Sequence, residues 1–416
     1  MRAQKWPIIA GSILLAFLPA LAQDDGGYEI APLNDHLYKL SIDGGGYTVK
    51  VLASVGDDGL LLVESGQGES AEKLKAALQT LTEAAPRIII NSHEHIEHIG
   101  GNAAFGDDPI VIGHARLLTG LRSGGHLFDE FPKATLPDVT FTDSMSIHFN
   151  GEEIKLIAFP GGHSDNDIIV WFTGSKIVCV GAISNGRHFP SVDGYSGDVL
   201  QYAPVAKAVI DILPEDVTIM PGHGEEGTMA EFRAFHDMLV KTTATVKAGL
   251  DDGKDLEALK AVDVLKDWTS FEGSYVDRNG WLEYLVTGLR PAPAKKTVFE
   301  PMYYAWKDGD AAAAVTLYHD LKKTKADEYG FTEFELLAIA YKLYRRSLMP
   351  DAVIFFELCT QEFPKGTYTG HCYDYMGRAH EALGRKEQAL KAYKACLEVM
   401  PDRAHAAERV DALSKE

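Results

Sequence analysis

The stretch Ile88-Ile-Ile-Asn-Ser-His-Glu-His-Ile-Glu-His-Ile-Gly-Gly-Asn102 opens as an apolar β-branched run, turns polar at Asn91 and Ser92, and closes on a Gly-Gly pair. From His93 to His98 it holds three histidines and two glutamates. Neutral imidazoles and carboxylates are the ligands that zinc and similar divalent ions take. A buried strand ending in such a loop delivers those ligands to a pocket rim, and a merely solvated loop has no need of them. A zinc-protease helix fits less well, because His-Glu-x-x-His requires a second histidine four residues after His93 and Glu97 stands there.

Outward from this loop, strand and helix patterns alternate. Residues 36–42, 47–55 and 60–64 are β-rich and separated by Gly or Asp-Gly turn signals. Ala71, Leu74, Ala77, Leu78 and Leu81 recur at helical spacing ahead of Pro86. Beyond the loop, 109–112 reads as a short strand, 115–121 as a helix and 124–137 as an irregular segment bordering a pocket. A second group of strands is expected at 139–149, 152–159, 168–172 and 176–180, interrupted by Pro160-Gly-Gly-His-Ser-Asp-Asn-Asp167. A helix over 199–213 and a strand over 217–220 lead to Pro221-Gly-His-Gly224, with helix from 229 to 247 and onward to Leu289. Ligands at the carboxyl end of a strand, after strand and helix, are an α/β arrangement, in which sites form beyond the strand ends.

A chain of 416 residues is long enough for two domains, and 46% hydrophobic with 24% charged residues is ordinary globular composition. A net charge of -20 argues against a nucleic-acid partner, which needs a basic face. Four cysteines, none in C-x-x-C spacing, are too few for a disulfide scaffold. Arg2 and Lys5 precede an apolar segment from Ile8 to Leu21, and Ala20-Leu21-Ala22 places small residues before an expected cut at Gln23. That is the order of a secretory signal peptide. The segment includes Pro19 and is shorter than the roughly 20 residues of a spanning helix. Residues 1–22 therefore read as a leader, and the mature chain as periplasmic or secreted with no membrane contact.

Arg290-Pro-Ala-Pro-Ala-Lys-Lys296 is the clearest boundary, which places one domain at 23–289, a linker at 290–297 and an all-helical domain at 298–416. Within the last, two segments match each other and the tetratricopeptide pattern. Leu336, Ile339, Ala340, Ala352, Phe356 and Pro364 in one correspond to Tyr373, Met376, Gly377, Ala389, Tyr393 and Pro401 in the other, and 311–321 suits a third, degenerate unit. Small residues let paired helices approach while aromatics fill the gap between pairs, and such repeats dock a protein partner, mediate self-association or extend the neighbouring core. Cys359 and Cys372 fall on neighbouring helices of adjacent repeats, where an oxidising compartment would let them pair.

The histidine loops, each after a strand, resemble the metallo-β-lactamase superfamily. Its His-x-His-x-Asp-His, Gly-His-Ser/Thr, Gly-Asp or Gly-Cys, and Gly-His motifs appear as His93-Glu-His95-Ile-Glu97-His98, Gly162-His163-Ser164, Gly181-Ala182 and Gly222-His223-Gly224. Gly100-Gly-Asn102 and Asn185-Gly-Arg187 are softer points of likeness, and the resemblance covers roughly residues 35–250. It implies a four-layer αβ/βα sandwich with metal at one sheet edge, followed by the helical domain. It also implies that His93, His95 and His163 hold a first zinc ion, and that Glu97, His98 and His223 belong to a second. A metal-bound hydroxide would then attack an ester, lactone, thioester, amide or phosphoester bond of a small-molecule substrate, with Glu97 placed to hold or relay the proton.

Two departures stand out. Glu97 is one methylene longer than the family's usual Asp, and Ala182 stands where a ligand bridging both metals is usual. Asp165, Asp167 and Asp193 are the nearby carboxylates that would have to compensate. Asp193 and His188 are expected at the surface rather than in the pocket; His114, His126 and His148 as surface or hydrogen-bonded residues; and Cys179 as a buried thiol in an apolar strand. The leading expectation is an exported metal-dependent hydrolase. The alternative is a catalytically degenerate scaffold, in which Ala182 marks a lost activity and the repeats bind a ligand or protein.

Overall fold

The computed structural model describes residues 27–43, 47–106, 108–122, 131–193, 196–273, 275–290, 296–401 and 403–415. The expected leader, His126 and most of the expected linker lie outside the described residues.

Two sheets carry the first part of the chain. One has the order β1 (Glu29–Pro32), β2 (Leu37–Asp43), β3 (Thr48–Gly56), β4 (Gly59–Val63), β5 (Pro86–Ile90), β6 (Ile110–His114) and β7 (Val139–Phe141). Its first four strands form an antiparallel meander, and β4 to β7 run parallel. The other contains β8 (Ser144–Phe149), β9 (Glu152–Ala158), β10 (Ile168–Phe172), β11 (Ile177–Gly181), β12 (Thr218–Pro221) and β13 (Gly227–Thr228), with only β11 and β12 parallel. The single strand expected over 139–149 is therefore two strands in different sheets. Polar Thr142 and Asp143 break the run and let the chain cross from one sheet to the other.

The sheets face each other across one apolar layer, in which Leu52, Leu61, Ile90 and Ile112 from the first meet Leu156, Val170, Phe172 and Met220 from the second. On the outer face of the first sheet, Leu74, Ala77 and Leu78 of α1 (Ala71–Gln79) cover Leu60, Leu62 and Ile89. On the outer face of the second, α4 (Tyr202–Ile212), α5 (Met229–Asp251) and α7 (Arg278–Leu289) pack on Ile169, Val178 and Ile219. The parallel strands are buried on both faces, which explains why Leu60–Val63 and Ile88–Ile90 are continuously apolar rather than alternating. The four layers of helix, sheet, sheet and helix form an αβ/βα sandwich.

After β5 the histidine loop folds into one helical turn, α2 (Ile96–Ile99). The backbone after β4 is zipped onto it by Ser65 N donating to His98 O at 2.8 Å and Gly101 N donating to Gly66 O at 2.9 Å. A Cβ on Gly101 would collide with the Ser65 carbonyl, so this close approach requires glycine.

From Phe299 onward the chain is helical: α8 (Phe299–Asp308), α9 (Ala311–Thr324), α10 (Glu333–Arg345), α11 (Met349–Glu362), α12 (Thr369–Ala382), α13 (Lys386–Val399) and α14 (Ala404–Lys415). The helices pack as the consecutive pairs α8–α9, α10–α11, α11–α12, α12–α13 and α13–α14, with α9 also against α11 and α10 against α8, and α8 to α12 share a core that includes Phe299, Tyr318, Ile339 and Phe356. Gly377 of α12 lies under the Tyr393 ring of α13, where a Cβ would overlap the ring. A two-residue strand at Lys296–Thr297 pairs with another at Tyr329–Gly330, holding the start of the helical region.

Cys359 of α11 and Cys372 of α12 are fully buried with their sulfurs 3.1 Å apart. Thiol titration of the unfolded protein is expected to count all four cysteines after reduction and to lose this pair after mild oxidation; four in both states would exclude the bond.

Candidate metal centre

The ligand loops meet where strand ends from both sheets converge. The loop after β5 supplies His93, His95, Glu97 and His98; that between β9 and β10 supplies His163; and that after β12 supplies His223. His93, His95 and His163 form one group whose potential ligand atoms lie within 4.8 Å of one another, and Glu97, His98 and His223 form a second. The closest ring nitrogens are 3.2 Å apart, His95 Nδ1 from His163 Nε2 and His98 Nε2 from His223 Nε2. Glu94 points away from both groups, with a carboxylate oxygen against Gly120 of α3 (Ala115–Arg122).

Each ring is oriented from outside the centre. His163 Nδ1 donates to the Ser191 carbonyl at 2.9 Å and His223 Nδ1 to the Thr48 carbonyl at 2.7 Å, which leaves both Nε2 lone pairs facing inward. His95 Nε2 lies 3.5 Å from Asp193 Oδ1, so its Nδ1 faces inward. His98 Nδ1 lies 3.5 Å from Glu64 Oε1, within ion-pair range but outside hydrogen-bond geometry. His93 Nδ1 meets the Ser92 hydroxyl at 2.9 Å, while its buried Nε2 has no hydrogen-bond partner among the described residues. A fully buried imidazole nitrogen with no partner is costly. So are inward lone pairs held 3.2 Å apart, unless a proton or cation lies between them. This donor set fits a zinc ion: imidazoles and a carboxylate, with their outer partners in place.

Glu97 sits between the two groups, with Oε1 3.8 Å from His95 Nδ1 and 3.7 Å from His223 Nε2. Burial opposes its charge, but the nearby His223, His95 and His98 rings hold its carboxyl well below the usual range. Burial also opposes charge on His95, yet the hydrogen bond to Asp193 and the Glu97 carboxylate raise it from 6.5 to about 9. Burial and the His95 charge depress His163 from 6.5 to about 3. Without metal, a proton is thus favoured on His95, between Asp193 and Glu97, and disfavoured on His163.

Ala182 is buried in the turn after β11, and its carbonyl accepts from the Tyr202 hydroxyl at 2.9 Å. None of the three carboxylates weighed as replacements ligates in its stead. Asp167 accepts from the Ser164 amide and hydroxyl, both at 2.7 Å, and Asp165 accepts from the Asn166 amide group at 3.0 Å. Asp193 is only 5% exposed, which corrects the surface expectation. It accepts from the amide and hydroxyl of Ser196 and turns its other oxygen to His95. His188 is half-buried against the Glu272 carbonyl, His114 is buried against the Thr142 carbonyl, and His148 is exposed.

Glu64 was not singled out by sequence. It follows β4 directly at a φ of 68°, and its carboxylate accepts from the Ser92 amide at 3.3 Å beside His98. The available signal was a lone acid closing a fully apolar strand and followed by Ser-Gly.

Residues 44–223 match the Metallo-beta-lactamase superfamily. Metallo-beta-lactamase type 2 of Bacteroides fragilis is 27% identical over 93 residues, which is 22% of this chain and only 37% of that protein's length. The protein of the same name from Elizabethkingia meningoseptica is 25% identical over 191 residues, 44% of this chain and 72% of its own. Among solved structures, a metallo-beta-lactamase from Pontibacter korlensis aligns at 16% identity with a TM-score of 0.45, covering 51% of this chain and 98% of its own. The match covers the sheet-bearing part of the chain, and the helices from Phe299 onward lie outside it.

Zinc uptake at pH 7.5 is expected to release the His95 proton, because its pKa of about 9 keeps it charged in the metal-free centre. Titration in buffers of different ionisation enthalpy should detect that release, which Asp193→Asn should reduce. The sign for folding is opposite in the two rings. His95 stabilises the metal-free fold below pH 6.5 and loses that effect as pH rises through about 9. His163 costs stability as pH falls from 6.5 to about 3, since the unfolded chain then binds the extra proton.

Proposed function

We propose that this protein is an exported zinc-dependent hydrolase whose two ligand groups share Glu97. The observation that carries this reading is the position of the Glu97 carboxylate, within 4 Å of an inward nitrogen from each group. The extra methylene gives Glu97 the reach to span from His95 to His223. That reach offsets the loss of a bridging side chain at Ala182.

Zinc in such a centre supplies Lewis acidity and lowers the pKa of a water to about 7. The chain's own residues do the rest. His93 and His163 present neutral nitrogens, His95 does so once its proton is displaced, and outer partners hold the three rings in place. Glu97 stays ionised at neutral pH and can accept a proton from a nucleophilic water or return one to a leaving group. The substrate is a small molecule with an ester, lactone, thioester, amide or phosphoester bond, and the fold does not choose among these. Export rests on the charged, apolar and small-residue order of 1–22, and the tetratricopeptide reading on the Gly377–Tyr393 fit and the paired helices. Among the described residues no helix is long and apolar enough to cross a membrane. The scaffold alternative draws on Ala182 and on the helical repeats as a binding module.

Hydrolysis of a chromogenic aryl ester by the zinc-loaded protein is expected to stop with chelation and to fall to the buffer rate in His93→Ala and His163→Ala. Activity untouched by either substitution would contradict the reading. Ala182→Asp should change the rate by less than about tenfold, the scale of supporting-residue effects at metal sites, because Glu97 already spans the groups. A much larger gain would show that it does not.

A further inference from the structure

The helical region stands against the metal centre. Gly68, in the turn after β4, lies between the histidine loop and α10: a Cβ there would sit 3.0 Å from the Gly100 carbonyl and 3.9 Å from Arg345 Nη2. A second tie joins α7 to α12's leading end, where the Tyr284 and Tyr368 hydroxyls are 3.5 Å apart.

Two sets of tyrosine rings face this junction. On the helical side, Tyr375 of α12 meets Tyr341 and Tyr344 of α10 edge-on, at centroid distances of 4.8 and 5.3 Å. On the other side, Tyr47 stands edge-on to the His223 ring at 5.1 Å and to Tyr275 at 6.2 Å. The sets are close enough to act on each other. Gln67 Nε2 donates to the Tyr47 hydroxyl at 3.1 Å, the next residue, Gly68, borders Arg345, and the Arg345 guanidinium stands 5.9 Å from the Tyr341 ring centroid. Tyr47 is thus tied to the α10 rings on one side while its own ring meets His223 on the other. The ring surfaces are not closed off: Tyr275 remains 53% exposed, and Tyr47, Tyr341, Tyr344 and Tyr375 are half-buried. Tyr375 also stacks on Phe356 and Tyr341 on Tyr344, and Arg378 and Arg345 stand 5.2 and 5.9 Å from the Tyr375 and Tyr341 centroids, so the cluster offers its exposed edges to a further aromatic ring.

We propose that α10 and α12 form the outer wall of the substrate cleft, where Tyr341, Tyr344 and Tyr375, opposite Tyr47 and Tyr275, hold a flat aromatic group of the substrate beside the metal centre. The assignment rests on the hydrolase reading only in placing the reacting bond at that centre. It gives the helical region a part in substrate choice, and it names an aryl-bearing substrate among the hydrolysable classes.

The test compares 2-naphthoate with decalin-2-carboxylate as ligands of the full-length, zinc-loaded protein by calorimetry. The two share a carboxylate that meets the metal alike and differ in whether the ring system is flat and aromatic. The wild type is expected to prefer naphthoate by about tenfold, the scale of a few aromatic contacts. Tyr341→Ala and Tyr375→Ala should bring that ratio close to one while zinc content holds. Tyr341→Leu and Tyr375→Leu, which keep bulk in the helices, should lose the preference as well. Equal affinities in the wild type, or a preference surviving in both leucine variants, would overturn the proposal. A protein that keeps the aromatic preference and its dependence on these tyrosines, yet hydrolyses no ester, would retain this site and lose the hydrolase reading.

Discussion

Five buried or half-buried imidazoles crowd one small space, and each must present a particular nitrogen inward. Left to itself, a neutral imidazole exchanges its proton between its two nitrogens, and a cluster of such rings would settle by sharing protons rather than by presenting lone pairs. Here outer acceptors hold the proton on the far side, with the Ser191 and Thr48 carbonyls serving His163 and His223, and Asp193 serving His95. The surrounding fold is the means of keeping those acceptors in place. Thr48 begins β3, Glu64 follows β4 and Ser191 lies in the loop after β11, so residues far apart in sequence converge only when both sheets pack.

The electrostatics follow from the same arrangement. Burial alone would make every group in the centre neutral. The Asp193 and Glu97 carboxylates prevent that at one ring, so His95 holds a proton while His93 and His163 are kept neutral by burial and by its charge. A divalent ion held by these residues would supply a larger positive charge in place of that proton. Glu97 is the group best placed to respond, because its extra methylene carries the carboxylate into the space between the two ligand groups.

Much of this was legible in the sequence, for physical reasons that differ between elements. The ligands from His93 to His98 were conspicuous because an apolar run has no other reason to finish in them, and it was the family resemblance that placed His163 and His223 beside them. The helical pairs were legible because Gly377 and Tyr393 mark a close approach and the ring that fills it. The switch between sheets at Thr142 and Asp143 was not, since a two-residue polar break in a β-rich run looks like ordinary alternation. Asp193 misled for a related reason. A carboxylate in a Gly-rich loop suggests solvent, and only the tertiary meeting with Ser196 and His95 explains its burial. Glu64 acts on His98 across 34 positions, a relation that local pattern does not carry.

Elemental analysis of the zinc-equilibrated protein tests the shared carboxylate most directly. Two zinc ions per chain in the wild type, falling to one in Glu97→Gln with the fold intact, are the result predicted by a carboxylate that joins the two ligand groups. A wild type that retains less than one ion, or a Glu97→Gln protein that still holds two, would contradict it.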